Sequence, residues 1–264
     1  MIPTPQTIQE QLRALHVCVV MPTYNNAGTL LSVLARVMPY APHVVVVNDG
    51  CTDATQTCLQ QAQAQYATKL TVVQYQPNKG KGYALMQGFK KAHQLGFGYA
   101  ITIDSDGQHY PEDIPNFLPY MAAHPGALLV GNRNLTAPGM PAKNSFANYF
   151  SNGWFALQTW TYLPDTQSGF RVYPLAVVAK LKAIPHRYEA ELALMVFSAW
   201  KGIKPIPVPI RVYYPPANER VSHFRPGVDF MRITCLNTIL CMLMLVYGWP
   251  SMLFYQLKRL VTSK

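Results

Sequence analysis

The chain has 264 residues, half of them apolar, which is enough to bury a sizeable core and excludes a disordered polypeptide. Lys plus Arg outnumber Asp plus Glu by 22 to 12, a net charge of +10, although only 13% of the residues are charged. A basic protein so sparsely charged has a greasy surface, and its partners lie among nucleic acids, anionic lipid headgroups and phosphorylated small molecules.

From Met1 to Arg13 the chain lacks the basic start and apolar run of a signal peptide. The first half then alternates short β-rich runs with amphipathic stretches, the pattern of a parallel sheet covered by helices. Strands are predicted at Val17–Met21, His43–Asn48, Leu70–Tyr75 and Tyr99–Asp104, and helices at Thr29–Met38, Asp53–Ala67 and Tyr83–Leu95, giving four βα units before residue 105. Ligands of such sheets bind beyond the carboxyl ends of the strands. Three of those ends carry distinctive polar residues: Pro22-Thr23-Tyr24-Asn25, Asn48-Asp49-Gly50 and Asp104-Ser105-Asp106. They are expected to converge on one crevice. The second half is less regular, with Pro- and Gly-rich loops predicted at Ala137–Pro141 and Pro205–Pro216 and no internal repeat.

Ile233–Leu257 contains no charged residue. About 25 residues of helix reach roughly 37 Å, against about 30 Å of bilayer hydrocarbon, so membrane attachment is expected in place of a buried core helix. Arg220, Arg225 and Arg232 precede the segment and Lys258, Arg259 and Lys264 follow it, which sets no orientation. A single span and a re-entrant or interfacial element, turned at Gly248-Trp249-Pro250, both fit. Cys18, Cys51, Cys58, Cys235 and Cys241 are odd in number and form no C-x-x-C pair, which reads as reduced thiols in a cytosol-facing protein.

The Asp104-Ser105-Asp106-Gly107-Gln108-His109 run sends two carboxylates off the sheet edge, where they can share a hard divalent cation, Mg²⁺ or Mn²⁺, with a nucleotide diphosphate filling its remaining positions. Two solvated acids in a turn are the alternative. Asp49 can accept a base N–H, and Asp53 is placed to cap the following helix. Asn78-Lys79-Gly80-Lys81-Gly82 opens another helix, with glycines that let the backbone approach an anion and lysines, Lys81 among them, that supply charge. It is not a Walker A loop.

Taken in order with Gly131-Asn132-Arg133 and Asp165-Thr166-Gln167-Ser168-Gly169-Phe170-Arg171, these motifs resemble the family 2 glycosyltransferases, particularly the dolichyl/polyprenyl-phosphate sugar transferases, over roughly Val17 to Arg225. The resemblance implies an α/β GT-A fold over residues 1–225, with a nucleotide-sugar half at about 15–132 and an acceptor half at about 133–225, followed by a membrane-attachment segment at 226–264. It implies a donor site drawn from Pro22, Tyr24, Asn25, Asp49, Lys81, Asp104, Ser105, Arg133, Arg220 and Ser222, in which Asp49 reads the base, Asp104 the ribose or the metal, and Arg133 and Arg220 the diphosphate. Asp104, Asp106 and Gln108 are the implied metal ligands, Arg171 faces the acceptor phosphate, and Glu191 lies near the acceptor. Glu191 is a general base if the acceptor is a hydroxyl, whereas an ionised phosphate needs none. Asn26 and Asn48 depart from the family pattern, standing where many relatives carry acids.

The implied activity is inverting transfer of a sugar from a UDP- or GDP-sugar to a lipid-linked acceptor such as polyprenyl phosphate, at a membrane and facing the cytoplasm. A membrane-anchored enzyme extending a polysaccharide or glycolipid hydroxyl is one alternative, and a non-catalytic nucleotide-sugar or lipid-binding partner is another. Nucleic-acid binding is not expected, since the basic residues form no dense stripe. Neither the sugar nor the oligomeric state is legible.

Overall fold

The computed structural model describes residues 4–134, 142–182, 184–214 and 226–262. Seven strands, β1 (Val17–Thr23), β2 (Val44–Asp49), β3 (Leu70–Tyr75), β4 (Tyr99–Thr102), β5 (Leu128–Arg133), β6 (Arg171–Pro174) and β7 (Pro205–Ile210), form one sheet in the order β3-β2-β1-β4-β6-β5-β7. β1 and β2 are buried along their whole length, as strands covered on both faces must be. Their side chains alternate between two cores. Cys18, Val20, Val45 and Val47 enter one, while Val17, Val19, Met21, Val44 and Val46 enter the other.

The second core is covered by α1 (Pro5–Ala14), α2 (Leu30–Val37), α3 (Thr55–Gln65) and, after a 3₁₀ turn at Pro111–Asn116, α5 (Phe117–Ala123). In α2 the buried residues Leu30, Val33, Leu34 and Val37 make one apolar stripe at helical spacing. The first core is covered by α4 (Lys81–Gln94), α6 (Ala142–Thr159), α7 (Leu175–Val178) and α8 (Ala190–Trp200).

The predicted strands and the crossover helices α2–α4 are present, with ends that differ by at most two residues. Two differences matter for the site. β4 stops at Thr102, so Asp104 lies off the ladder, and the strand leads into a loop and the 3₁₀ turn; three βα units and a fourth strand precede residue 105. β6 runs antiparallel to both of its neighbours, β4 and β5. The expected division near residue 132 falls inside β5, so the two halves share one sheet.

The loop predicted from Pro205 is instead β7, which pairs parallel with β5. It is an edge strand, and its prolines at 205, 207 and 209 recur at every second residue, the spacing at which a missing N–H costs no ladder bond on the inner side. The other predicted loop, Ala137–Pro141, lies outside the described residues.

At the C-terminus, α9 (Pro226–Leu243), a π turn (Met244–Gly248) and α10 (Trp249–Thr262) follow one another as a continuous helix, with an apolar stretch from Gly227 to Val261. Gly248-Trp249-Pro250 does not reverse the chain. Pro250 has no N–H to give the preceding turn, and the helix widens into the π turn just upstream. The five cysteines are all unpaired thiols.

Candidate active site

β1, β2 and β4 deliver their carboxyl ends to the same side of the sheet, and the residues that follow enclose a crevice of about 520 Å³. Pro22, Tyr24, Asp49, Lys81, Asp104, Ser105, Asp106 and Gln108 all stand in its wall, so the three motif-bearing strand ends meet as expected. Asn25 does not: its φ is +51°, and its side chain turns to Thr52, with Oδ1 accepting from the Thr52 N–H at 2.8 Å. The adjacent Asn26 faces the crevice instead and donates to Ser105 Oγ at 2.9 Å.

Ser105 fixes the loop after β4 to the end of β1. Its buried hydroxyl donates to the Pro22 carbonyl at 3.2 Å, and its own carbonyl accepts from Thr29 Oγ1 at 2.6 Å. Asp49 does the same for the loop before α4. One carboxylate oxygen accepts from the Lys79 N–H and the other from the Gly80 N–H, each at 2.8 Å, and Asn78 Nδ2 adds a third donor at 2.9 Å. Gly80 holds φ at +100°, and a Cβ there would lie 2.5 Å from the His186 carbonyl, so this turn demands glycine. Asp53, expected to cap α3, stands one residue before the N-cap Ala54; from there its Oδ1 accepts from the Thr55 N–H at 3.0 Å.

At the floor of the crevice the Lys81 ammonium lies 2.9 Å from Asp104 and 3.0 Å from Glu191 Oε2. Burial works against each charge, but the attraction wins. The lysine is held well above its usual range by Asp104 and Glu191, and Asp104 is held below the usual carboxylate range chiefly by Lys81. Asp106 is the opposite case, pushed up to about 6 by burial and by the neighbouring Asp104 charge. Its Oδ1 accepts from the Gln108 N–H at 3.0 Å.

Those carboxylates fit a divalent cation. Among the described residues no three His, Cys, Asp or Glu side chains are gathered into a cage, so the protein contributes a partial oxygen set, which suits a metal that arrives with a diphosphate. Burial, with the Asp104 charge beside it, makes the Asp106 carboxyl reluctant to ionise, and a cation between the two acids would relieve that. His109, next in the run, is buried with no partner on Nδ1, and burial lowers it to about 4, so it is a neutral imidazole beneath the site.

Two arginines stand elsewhere than expected. Arg171 does not face an acceptor: it is 1% exposed, and its guanidinium donates to the carbonyls of Thr166, Ser168 and Glu191 and to Tyr173 Oη at 2.6–3.0 Å. It is a buried brace joining the 165–170 loop to the first turn of α8. Arg133 lies outside the crevice wall and grips Asp165 with two donors, at 2.6 and 2.9 Å. Arg220 and Ser222 lie outside the described residues. Glu191 opens α8 and reaches the site through Lys81.

The crevice also contains Asn78, Arg187 and Tyr188, which sequence reasoning did not single out. Asn78 was legible in the Asn78-Lys79-Gly80-Lys81 run, whereas Arg187 and Tyr188 sit at no strand end. Beyond them the wall changes character. Pro185 and Glu189, flanking that pair, line a second cavity of about 730 Å³ whose other side is α9, through Val228, Met231, Arg232, Cys235, Leu236 and Ile239.

The architecture has known counterparts. A solved structure of glucosyl-3-phosphoglycerate synthase from Mycobacterium tuberculosis, in complex with Mn²⁺, uridine diphosphate and phosphoglyceric acid, superposes with a TM-score of 0.64 over 91% of this chain and 82% of that one, at 16% identity. The fold is GT-A, as the resemblance implied. In sequence, the chain is 24% identical over 212 residues to the UDP-N-acetylglucosamine–dolichyl-phosphate N-acetylglucosaminyltransferase of Methanococcus voltae, covering 74% of this chain and 84% of the relative. It is 27% identical over 183 residues to the polyprenol monophosphomannose synthase of Mycolicibacterium smegmatis, covering 67% of each. The glycosyl transferase family 2 pattern matches residues 18–167, more than half of the sequence, and the chain belongs to that family as a glycosyltransferase.

Proposed function

We propose that this chain transfers a sugar from a nucleotide-sugar donor to polyprenyl phosphate, with inversion at the anomeric carbon and with a divalent cation, while attached to a membrane with its catalytic domain facing the cytoplasm. The observation that carries this reading is that two cavities are lined by neighbouring residues. Arg187 and Tyr188 line the crevice with the paired carboxylates, and Pro185 and Glu189 on either side of them line an apolar cavity walled by α9. An acceptor with an anionic head and a hydrocarbon tail matches that change of lining, and a polysaccharide does not. The two relatives described above support it, since the name of the Methanococcus enzyme joins a UDP-sugar to dolichyl phosphate and that of the Mycolicibacterium enzyme specifies a polyprenol product.

In this reading Pro22, Tyr24 and the loop stapled by Asp49 hold the nucleoside. Asp104, Asp106 and Gln108 would hold the cation, which would supply positive charge to the leaving diphosphate. An acceptor phosphate oxygen forms the new bond to the anomeric carbon as the bond from that carbon to the donor diphosphate breaks, and the electron pair leaves on the nucleoside diphosphate. The nucleophile is ionised at neutral pH, so no proton has to be removed. Glu191 is therefore a positioning residue that orients Lys81 against Asp104.

The test is transfer of radiolabelled sugar from UDP- and GDP-sugars to purified polyprenyl phosphate, with Mn²⁺ or Mg²⁺ and with chelator. Label in the organic phase that disappears with chelator, in a product of inverted anomeric configuration, is the expected result. Label found only in an aqueous polymer overturns the lipid acceptor.

A further inference from the structure

The helix from Gly227 to Val261 is long and apolar enough to cross a bilayer, but it is not free to do so. One stripe of it is docked on the catalytic domain along most of its length. Leu236, Leu240, Met244 and Met252 are buried in the core shared with α4 and α8. Polar contacts reinforce the seam: Gln158 Nε2 donates to Asn237 Oδ1 at 3.1 Å, Ser251 Oγ to the Trp200 carbonyl at 2.7 Å, and Arg259 to the Gly202 carbonyl. Gly248 lies so close to Trp200 that a Cβ would come within 2.4 Å of the indole. From Leu236 to Arg259 the docked stretch is about 35 Å of helix, longer than the hydrocarbon layer is thick. A transbilayer orientation therefore either tears this seam open or drags Lys201, Lys204 and the end of α8 into lipid, at a cost of several kcal/mol for the charges alone.

The opposite stripe is bare. Ile239, Met242, Val246, Leu253, Leu257 and Leu260 recur at helical spacing and are each 49–76% exposed. The surface does not end with this helix. Trp160, at the end of α6, packs on Trp249 with ring centroids 5.5 Å apart, and Tyr149, Phe150 and Leu157 of α6 are exposed as well. The polar border is basic and aromatic: Lys201 lies over the Tyr247 ring at 5.6 Å, and Lys258 and Arg259 follow the stripe. Apolar residues edged by Trp, Tyr and Lys match the headgroup level of an anionic leaflet.

We infer that the Gly227–Val261 helix lies in the plane of one anionic leaflet, and that α6 with Trp160 completes the same membrane-binding face. Attachment is monotopic, both ends of the helix stay on the side of the catalytic domain, and the apolar cavity between α9 and residues 185–189 sits at the lipid surface. The inference rests on the membrane attachment proposed above.

The experiment uses the full chain with a protease-cleavable epitope tag at each end, expressed in bacteria and assayed in spheroplasts and in inverted membrane vesicles. Both tags should be cleaved only in the inverted vesicles. Tags cleaved from opposite sides overturn the in-plane geometry while leaving the transferase reading standing. In parallel, the purified protein is sedimented with phosphatidylglycerol and with phosphatidylcholine vesicles. The Leu253→Glu/Leu257→Glu and Phe150→Glu variants should each lower partitioning to phosphatidylglycerol vesicles at least tenfold with unchanged melting temperature. Unaltered partitioning of the folded Phe150→Glu variant overturns the contribution of α6. Failure of the parent protein to sediment with either vesicle overturns both the attachment and this geometry, whereas organic-phase transfer with soluble acceptor micelles is scored separately.

Discussion

The ammonium of Lys81 stands 2.9 Å from the Asp104 carboxylate, so the first acid of the Asp104–Asp106 pair has its counter-ion within the protein. Among the described residues the second has none of comparable reach, and burial together with the Asp104 charge pushes its carboxyl up to about 6. A single lysine thus divides two chemically identical groups into a permanent anion and a conditional one.

Replacing Lys81 with Met leaves Asp104 and Glu191 facing each other without a cation. The stability loss should be about 3 kcal/mol at pH 7.5, the scale for breaking a largely buried ion pair from one side. Because Asp104 is depressed in the folded state, its contribution is present above the ordinary carboxylate range and vanishes as pH falls through the lowered value. The gap between parent and variant in urea unfolding should be full at pH 7.5 and narrow below about pH 4.

Asp106 gives the reverse sign. A carboxyl raised in the folded state destabilises the protein once ionised, so stability on its account rises as pH falls from above 6 toward the unfolded value near 3.8. Asp106→Asn should melt higher than the parent at pH 8 by about 1–3 kcal/mol equivalent, lose that advantage at pH 4, and abolish transfer. Mn²⁺ should raise the melting temperature of the parent at pH 8, but neither that of the parent at pH 5 nor that of the variant.

Arg171 is a test of the brace. Lysine keeps the charge but cannot reach four acceptors with one ammonium, so Arg171→Lys should cost about 3 kcal/mol. The loss should appear in thermal unfolding and should not be recovered by raising the acceptor concentration, as it would be if the side chain bound the acceptor phosphate.

Gly169 borders the Lys81, Asp104 and Glu191 cluster from outside the ladder. A Cβ there would lie 2.8 Å from Asp104 Oδ2 and 3.2 Å from both Lys81 Nζ and Glu191 Oε1. Gly169→Ala should lower kcat about tenfold or more through displacement of the Asp104 side chain, with thermal stability reduced by no more than about 2 kcal/mol. Equal kcat in parent and variant counts against the placement of Asp104 by this cluster mattering for transfer.

The strand ends that build the crevice were legible because local chemistry and tertiary role coincide there. Val44–Val47 can only be a covered strand, and Asn48-Asp49-Gly50 can only be its turn. The Gly80 turn announced itself in the same way. What escaped depends on neighbours distant in sequence. Pro205–Ile210 reads as loop by its prolines and is a strand because β5 offers it an edge. Arg171 reads as a ligand by its motif and is a brace because Thr166, Ser168 and Glu191 turn their carbonyls toward it. An arginine motif specifies a guanidinium at a position, and only the surrounding acceptors decide whether it faces a substrate or the protein.

Among the described residues, β6 is the strand that runs against its neighbours on both sides. Its first residue, Arg171, pairs with Thr102 at the last rung of β4, so the loop that enters β6 and the loop that leaves β4 begin from the same pair. The elements on either side of the crevice are thus joined within one sheet at that point. A displacement of either loop at this rung is therefore felt by the other, and the Asp104 carboxylate and the Arg171 brace answer to the same pair of backbone residues.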